Sequence, residues 1–405
     1  MRILIFGGTF NPPHMGHLLA VGETAKSLGA DRVFFVPTSI PPHKELAAVS
    51  PPAADRAAML ETVCPLLPNA SVLDLELRRE GRSYTAETLT ELRSLYPEDE
   101  LVFLMGTDMF LSILSWYEPE TILSCANLAV FARERDRTAE IEAMADKLRR
   151  EYGAGVYIIT GRPLEVSSTV VRELLPRRQG RELVPESVYG YIIRKRLYGA
   201  KPELDWLREK AYAYLKPTRV PHVRGVEEEA LRMAARWGAD PGDAAEAAIC
   251  HDITKALSQE EQLRMCEKYA IVTDELERAN EKLLHARTGA ALAADLFGLE
   301  NDVALAIRFH TTGRPGMTTL EMITYLADYI EPGRNGFDGL EELRRACYED
   351  LDRAMELGLR MSLSEVREKG AAAHGMTVEA HRWYVCSLRR RGLEPIRAAG
   401  IPDVV

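Results

Sequence analysis

The sequence lacks three features that would assign a protein to a class at once. Its six cysteines include no Cys-x-x-Cys pair, which argues against a zinc–thiolate site and against a disulfide framework. No uninterrupted apolar stretch reaches about 18 residues, so we expect no transmembrane helix. The chain begins with a strand-like run, whereas a secretory signal would begin with a basic region and end in a cleavage site. These absences predict a cytoplasmic protein that does not enter a membrane.

The chain also lacks an excess of basic residues. Its formal net charge is −10, which argues against nucleic-acid binding, because that needs clustered Lys and Arg side chains. Small anionic ligands need only a local basic pocket and are not excluded. With 405 residues, of which 46% are hydrophobic and 28% charged, the composition is typical of a soluble globular protein with two or three domains.

The first half of the sequence alternates short apolar runs with helical patterns. The predicted strands are residues 3–6, 33–36, 72–77, 101–105, 128–131 and 156–160. The predicted helices include residues 53–63, 85–95 and 138–151. Fully apolar runs are typical of strands covered on both faces, so this half is predicted to be an α/β doubly wound parallel sheet. Ligands of such sheets bind at the carboxyl ends of the strands.

The second half has a different character. Gly199-Ala200-Lys201-Pro202 interrupts the pattern and marks a boundary. Beyond it, apolar residues recur at spacings of three and four, which predicts an all-α helical bundle. The long helical runs are residues 226–237, 260–268, 274–297, 319–329 and 340–354. We therefore predict a first domain over 1–198, a linker over 199–204, a second domain over 205–396 and a loose tail over 397–405.

The most informative segment is GGTFNPPHMGH, residues 7–17, which follows the first predicted strand. A strand, a glycine turn and a helix start together leave backbone N–H groups free to hold phosphate. His14 and His17 are three residues apart at that helix start, so they share one helix face and can contact the same anion. The segment predicts a nucleotide-phosphate site.

This segment resembles the nucleotidylyltransferase superfamily and, more closely, the bacterial nicotinate-nucleotide adenylyltransferases. The resemblance spans roughly residues 1–196. It extends to Pro42-His43-Lys44, Ser83-Tyr84-Thr85, Gly106-Thr107-Asp108 with Trp116, and residues 166–172. It implies transfer of the adenylyl group of ATP to nicotinate mononucleotide in NAD biosynthesis. Mg²⁺ is expected to accompany the ATP, bound largely through phosphate oxygens and water.

The residues suit this chemistry, because the attacking phosphate is already an anion and needs positioning and charge stabilisation, not a strong base. The catalytic candidates are His14, His17, Lys44 and Arg172. The expected ATP contacts are Gly7, Gly8, Thr9, Phe10, His17, Gly106, Ser167, Ser168, Thr169 and Arg172. Ser168 and Thr169 are expected to cap a helix that begins near Val170. The resemblance implies that the mononucleotide pocket is formed by Lys44, Tyr84, Thr85, Asp108 and Trp116.

Two of these assignments have structural alternatives. Asp108 could instead cap a helix, and Trp116 could be a core residue.

A second group of polar residues lies downstream. Four of the nine histidines, His222, His251, His285 and His310, fall within one stretch, and two aspartates accompany them, Asp252 and Asp328. Neutral imidazoles and carboxylates are the ligands that hold divalent metals. Spacings of roughly 25 to 35 residues fit one or two ligands on each helix of a bundle. His374 and His381 fit no ligand pattern and are predicted to be structural or exposed.

Five segments in this half resemble the HD-domain metallophosphohydrolases, and within them the bacterial symmetrical dinucleoside-tetraphosphate hydrolases. The segments are residues 219–226, 251–255, 285–290, 310–313 and 327–334. The resemblance implies one metal on His222, His251, Asp252 and Asp328, and a second on His285 and His310 with Asp252 bridging. It also implies phosphate contacts from Lys255, Arg314 and Arg334.

The implied reaction is hydrolysis of diadenosine tetraphosphate to two ADP. Resemblance suggests iron as the metal, whereas the ligand types also permit Mn²⁺.

Alternatives remain open at both sites. The second half could sense a nucleotide without turning it over, and the first half could prefer nicotinamide mononucleotide or another acceptor such as phosphopantetheine. The sequence also leaves open whether the chain forms a homo-oligomer and whether the two sites are coupled.

Overall fold

The computed structural model describes residues 1–39, 50–67, 69–79, 81–133, 137–161, 164, 166–398 and 400–402. The chain divides into two compact units, Met1–Lys201 and Pro202–Val405. Among the described residues, no helix combines the length and the apolar character that crossing a bilayer requires.

The first unit is built on a parallel sheet. Its strands are β1 Arg2–Gly8, β2 Arg32–Pro37, β3 Ala70–Val72, β4 Glu100–Gly106, β5 Asn127–Arg133 and β6 Val156–Gly161. They lie in the order β3-β2-β1-β4-β5-β6, and every neighbouring pair is parallel. The chain order therefore reverses between β1 and β4, which is the switch point where ligands bind in doubly wound sheets.

Helices pack on this sheet. They are α1 Met15–Leu28, α2 Ala53–Glu61, α3 Thr85–Leu95, α4 Thr107–Leu111, α5 Pro119–Cys125, α6 Thr138–Tyr152, α7 Ser168–Leu174 and α8 Glu186–Lys195. Leu89, Ile122 and Leu148 of α3, α5 and α6 share one buried core with Ile5 and Phe103 of β1 and β4. Successive residues of a strand point to opposite faces, so Leu4 and Leu104, also buried, face the other side of the sheet.

The second unit is helical, and its described residues form no β-strand. Its helices are α9 Leu204–Tyr212, α10 Val220–Trp237, α11 Pro241–Cys250, α12 Gln259–Lys268, α13 Glu275–Arg278, α14 Glu281–Phe297, α15 Asn301–Phe309, α16 Thr319–Ile330, α17 Leu340–Glu349, α18 Leu351–Glu368 and α19 Gly375–Arg390. The core gathers around α16, whose Ile323, Leu326 and Ala327 are fully buried together with Val226 and Leu357. The predicted fold class, a parallel α/β sheet followed by an all-α helical bundle, is confirmed.

Several predicted boundaries are wrong. The third strand is Ala70–Val72 and not 72–77, because Leu77 N–H donates to the Asp74 carbonyl at 2.9 Å and closes a turn. The run over 274–297 is two helices, since the Asn280 side chain caps α14. The run over 340–354 breaks in the same way at Asp350, which caps α18.

Three apolar residues beyond α19 contact the helical unit. Ile396, Ala398 and Ile401 are partly buried and pack against the second unit's core. The buried Arg360 guanidinium donates to the Ile396 carbonyl. These contacts involve two residues, Ala398 and Ile401, of the segment 397–405 that the sequence predicts to be a loose tail.

Candidate functional site

The segment between β1 and α1 forms the centre of the first unit's site. Phe10 has a left-handed backbone (φ 46°), and its buried ring packs edge-on against Phe35 at 5.9 Å and His17 at 5.2 Å between ring centres. A Cβ atom on Gly8 would lie 3.3 Å from the Phe10 ring. Glycine therefore allows this loop to fold back against the end of the strand.

An imidazole pair stands at the start of α1. The backbone N–H of His14 donates to His17 Nδ1 at 3.1 Å, which leaves the proton of a neutral His17 ring on Nε2. The two rings stack with centres 3.6 Å apart. Burial lowers the pKa of His14 to about 4, and burial together with the nearby His14 lowers the pKa of His17 well below its usual value. Both rings are neutral at pH 7, and His17 Nε2 is a hydrogen-bond donor.

Gly16 is required by the same pair. A Cβ atom there would lie 2.9 Å from Val166 Cγ1 and 3.2 Å from the His14 ring. The space beside Gly16 holds the His14 ring and Val166, which lies before α7.

Two cavities of about 350 and 370 Å³ meet at His17 and Gly106. The first cavity lies beside His14, Leu19, Phe131 and Val166. The second cavity has an aromatic wall of Phe103, Trp116 and Tyr117, and a polar side with Thr38, Glu76, Ser83 and Thr85. Two cavities that share His17 suit a reaction between two substrates.

The structure distributes the predicted residues over both cavities. Of the predicted mononucleotide contacts, Tyr84, Thr85 and Trp116 line the second cavity. Gly7, Gly8 and Thr9, which were predicted to contact ATP, also line the second cavity and not the first. Asp108 lies at the first cavity and not with the other predicted mononucleotide contacts, and its exposed carboxylate pairs with Arg137 Nη2 at 2.7 Å. Trp116 lines the second cavity and also packs against Phe103, with ring centres 6.5 Å apart. Lys44 lies outside the described residues.

The start of α7 is tied to the loop after β1. The capping residue is Ser167, whose hydroxyl accepts from Val170 N–H, so the expected cap by Ser168 and Thr169 is wrong by one residue. Ser168 Oγ instead donates to the Pro12 carbonyl at 2.9 Å.

Arg172, on the same helix, also acts on this loop. Its Nη1 donates to the Asn11 carbonyl at 2.7 Å, and its Nη2 donates to Thr169 Oγ1 at 3.2 Å. Arg172 and Ser168 thus hold the loop that carries the imidazole pair.

The sequence did not reveal two further side chains that position this loop. Arg56 is 1% exposed, and its Nη1 donates to the Thr9 carbonyl at 2.6 Å. Tyr198 donates its hydroxyl to Asn11 Oδ1 at 2.9 Å. An arginine in an alanine-rich amphipathic helix is normally read as solvent-exposed, so only the tertiary structure identifies it.

In the second unit, the six predicted metal ligands come together. His222 lies near the start of α10, His251 and Asp252 follow α11, His285 lies on α14, His310 follows α15 and Asp328 lies on α16. Asp252 is fully buried and faces both halves of the cluster.

The two oxygens of Asp252 point to different histidines. Oδ2 lies 3.3 Å from His251 Nε2, and Oδ1 lies 3.1 Å from His285 Nε2 and 3.8 Å from His310 Nε2. Asp328 Oδ1 lies 2.9 Å from His222 Nε2, on the Oδ2 side of the cluster. The arrangement matches the proposed division into two ligand groups that share Asp252.

Hydrogen bonds behind the cluster orient the imidazoles. The Nδ1 atoms of His251 and His310 each lie 2.7 Å from a backbone carbonyl, of Ala248 and Ile307. A carbonyl only accepts, so both rings carry the Nδ1 proton, and in its neutral form each ring presents an unprotonated Nε2. Burial lowers the pKa of His310 well below its usual value, which keeps the ring in the neutral form that binds metals.

Cations surround the cluster. Lys255 Nζ lies 3.2 Å from Asp252 Oδ1, and Arg334 Nη2 lies 3.0 Å from Asp328 Oδ1. Arg219, in a segment that the sequence singled out but with no role assigned, reaches Asp252 Oδ2 at 2.5 Å. Arg314 is instead held by Glu321 through two bonds of 2.8 Å.

The donor set fits divalent metals. Nε2 of His222 and of His251 and Oδ1 of Asp252 are buried, and their nearest polar neighbours are other residues of the cluster and Lys255. Buried nitrogen lone pairs and carboxylate oxygens that converge in this way are typical metal ligands.

A third group of Asp274, Glu277 and His374 has similar composition but different chemistry. His374 Nε2 lies 3.4 Å from Glu277 Oε1 and 3.5 Å from Asp274 Oδ2. Its Nδ1, however, accepts from the Met376 backbone N–H at 3.2 Å. The neutral ring therefore carries its proton on Nε2, which can donate to the carboxylates but has no lone pair for a metal.

Comparisons with known proteins agree with both halves. The cytidylyltransferase-like family profile matches residues 5–174, and the HD-domain profile matches residues 219–333. Two relatives named probable nicotinate-nucleotide adenylyltransferases, from Geobacter metallireducens and Geobacter sulfurreducens, are each 38% identical over 49% of this chain and 98% of their own length.

A solved structure of a predicted HD superfamily hydrolase from Clostridium acetobutylicum is 35% identical, with a TM-score of 0.45, over 46% of this chain and 100% of its own. The first half of the chain thus belongs to the nicotinate-nucleotide adenylyltransferase family, and an HD domain follows it on the same polypeptide.

Proposed function

We propose that the first unit transfers the adenylyl group of ATP to nicotinate mononucleotide, which yields nicotinate adenine dinucleotide and pyrophosphate. The observation that carries this proposal is the meeting of two cavities at His17 and Gly106. The first cavity, beside His14, would hold ATP. The second cavity, with its aromatic wall and the adjacent Tyr84, would hold the pyridine ring, because aromatic faces stack with flat heterocycles.

The reaction needs no base in this arrangement. A phosphate oxygen of the mononucleotide forms a bond to the α-phosphorus of ATP, and the bond to the bridging oxygen of pyrophosphate breaks. No proton has to move, so the protein must orient the two anions and stabilise charge. His17 Nε2–H donates to an oxygen of the reacting phosphate at the junction. Mg²⁺ bound to the triphosphate neutralises charge on the leaving group.

We also propose that the HD domain hydrolyses diadenosine tetraphosphate to two ADP. Support comes from the convergence of the five other predicted ligands around Asp252. The adjacent side chains of Arg219, Lys255 and Arg334 can contact an anionic polyphosphate. Bound iron or manganese would polarise a phosphoryl oxygen and lower the pKa of water. The water oxygen forms a bond to one of the two central phosphorus atoms, and ADP leaves from the other side.

One experiment tests both activities on the full-length protein. Wild type, His17→Ala and Asp252→Ala are given ATP with nicotinate mononucleotide, and separately diadenosine tetraphosphate with Mn²⁺ or with Fe²⁺ under anaerobic conditions. Chromatography then identifies the products. We expect His17→Ala to lose only dinucleotide synthesis and Asp252→Ala to lose only ADP formation.

Other outcomes would revise the proposal. Tetraphosphate binding without ADP would indicate a sensor, and ATP with AMP as products would contradict symmetric cleavage. Loss of dinucleotide synthesis in Asp252→Ala would indicate coupling between the sites. Faster use of nicotinamide mononucleotide would change the acceptor assignment.

A further inference from the structure

A buried carboxylate lines the second cavity without a role in the reaction proposed above. Glu76 follows β3 and is 6% exposed. Its Oε1 accepts from Thr88 Oγ1 at 2.9 Å, whereas Oε2 is buried and has no hydrogen-bond partner among the described residues. Ser83 lines the same cavity, is 3% exposed, and its hydroxyl is likewise without a partner in the part of the chain that the structure describes.

The carboxylate is held in a fixed orientation. Arg79 Nη1 donates to Thr88 Oγ1 at 2.9 Å, and the Thr88 hydroxyl donates to Glu76 Oε1 at 2.9 Å, with the Tyr84 carbonyl as a more distant acceptor at 3.4 Å. This relay fixes Oε1 and leaves Oε2 as the available acceptor. An acceptor buried without a donor costs free energy, so the arrangement favours a ligand that brings a hydrogen-bond donor into the cavity.

Charge limits which part of the mononucleotide can fill this role. The phosphate and the pyridine carboxylate are anions, and a carboxylate in a poorly solvated cavity repels them. The ribose hydroxyls are neutral donors. They also lie between the phosphate, which must reach the His17 junction, and the ring, which the aromatic wall receives.

We propose that Glu76 Oε2, together with Ser83 Oγ, binds a ribose hydroxyl of the mononucleotide acceptor. The proposal rests on the acceptor assignment made above for the first unit. Burial raises the pKa of Glu76, and the side chains of Thr88, Thr38, Arg79 and Ser83 oppose this shift. A further donor from the ribose would add to the effect of Thr88 and stabilise the ionised carboxylate. Glu76 and Ser83 would thereby select a ribonucleotide acceptor over a deoxyribonucleotide.

The test is a set of steady-state measurements on full-length Glu76→Gln and Ser83→Ala. With nicotinate mononucleotide we expect KM to rise by about ten- to a hundredfold in Glu76→Gln, the range for loss of a charged hydrogen bond. The rise in Ser83→Ala should be smaller. KM for ATP should stay within about twofold, because the first cavity is untouched. Glu142→Gln, the same change at an exposed position on α6, should alter no constant.

Deoxy acceptors make the test decisive. The form of nicotinate mononucleotide that lacks the bound hydroxyl, either 2′-deoxy or 3′-deoxy, should be a poor acceptor for wild type. Glu76→Gln should use that form no less well than wild type does. The proposal is overturned if Glu76→Gln weakens both deoxy forms as much as the parent nucleotide, or if the variants raise KM for ATP instead. An effect confined to nicotinamide mononucleotide would show that Glu76 contacts the ring substituent. If wild type makes no dinucleotide from ATP and nicotinate mononucleotide, the acceptor assignment itself fails, and this inference fails with it.

Discussion

The two sites orient their histidines in opposite ways. At the start of α1, His17 Nδ1 accepts a backbone N–H, so Nε2 is a donor suited to phosphate oxygens. At the ends of α11 and α15, Nδ1 of His251 and of His310 donates to a carbonyl three residues earlier, so Nε2 is an acceptor suited to metals. Helix N-termini leave N–H groups free and C-termini leave carbonyls free. The end of the helix on which a histidine lies therefore sets its tautomer, and the tautomer sets its ligand.

This comparison also explains two further histidines. His374 caps the start of α19 and accepts a backbone N–H, so it falls into the donor class despite its acidic neighbours. His222 lies near the start of α10, where no carbonyl is free. Glu331 Oε1, 3.1 Å from His222 Nδ1, takes the place of a carbonyl and keeps Nε2 directed at Asp328.

The largest expected effect is at His17, where the donor itself can be tested. Removal of the imidazole in His17→Ala should lower kcat for dinucleotide synthesis by about 10² to 10³, the usual cost of losing one donor to a reacting oxygen. His17→Gln places an amide N–H near the position of Nε2 and should recover about tenfold of that loss. Rapid-quench or steady-state assays check this. Equal activities of His17→Ala and His17→Gln would contradict a donor role.

The next prediction concerns His222, whose Nε2 is an acceptor because Glu331 binds its Nδ1 proton. Glu331→Ala removes the group that holds the Nδ1 proton of His222, and we expect metal affinity to fall by about 10- to 100-fold. Titration with Mn²⁺ followed by calorimetry measures this without reference to turnover. Glu349→Ala, at an exposed position of α17, is the matched control. An unchanged affinity in Glu331→Ala would mean that the tautomer of His222 is set in another way.

The pH dependence of the first unit follows from the lowered pKa of His14. An unfolded histidine has a pKa near 6.5 and His14 in the folded chain has a pKa of about 4, so between these values the unfolded state binds more protons. Stability is therefore full above about pH 6.5 and declines as pH falls toward 4, by about 3 kcal/mol for this group.

Hydrogen exchange of peptides from residues 1–39, measured at pH 7 and pH 4.5 with correction for the intrinsic rate, reports this decline. His14→Gln should remove part of it. A wild-type protein with equal protection at both pH values would contradict the neutral assignment of the imidazole pair.

The sequence predicted those parts of the molecule that local patterns determine. Apolar runs and helical spacing indicated the parallel sheet and the helical second unit, because periodicity depends only on neighbouring residues. The predicted metal ligands also converge in the structure. Their residue types and their order along the chain had suggested such a cluster. His251 and Asp252 directly follow the end of α11.

Features that depend on distant contacts were not predictable in this way. Arg56 and Glu76 are charged residues in ordinary surface patterns, and only packing against other elements buries them. Asp108 lines the first cavity, whereas Tyr84, Thr85 and Trp116 of the predicted mononucleotide pocket line the second. The last residue of β4, Gly106, lines both cavities, and this division is not visible in the sequence. A break such as that at Asp350 needs a side-chain cap, which propensity alone does not locate.

The smallest expected effect separates two cations that the sequence placed in one role. Arg334 contacts Asp328 in the cluster, whereas Arg314 forms two hydrogen bonds to Glu321, a carboxylate that is itself buried. We therefore expect Arg314→Gln to lower the free energy of unfolding by about 1–3 kcal/mol, because Glu321 loses a charged partner. Its KM for diadenosine tetraphosphate should not change, while Arg334→Gln should raise that KM. Urea unfolding and steady-state assays on both variants check this. A raised KM for diadenosine tetraphosphate in Arg314→Gln, at unchanged stability, would contradict this. It would show that Arg314 leaves Glu321 and contacts phosphate, as the resemblance implied.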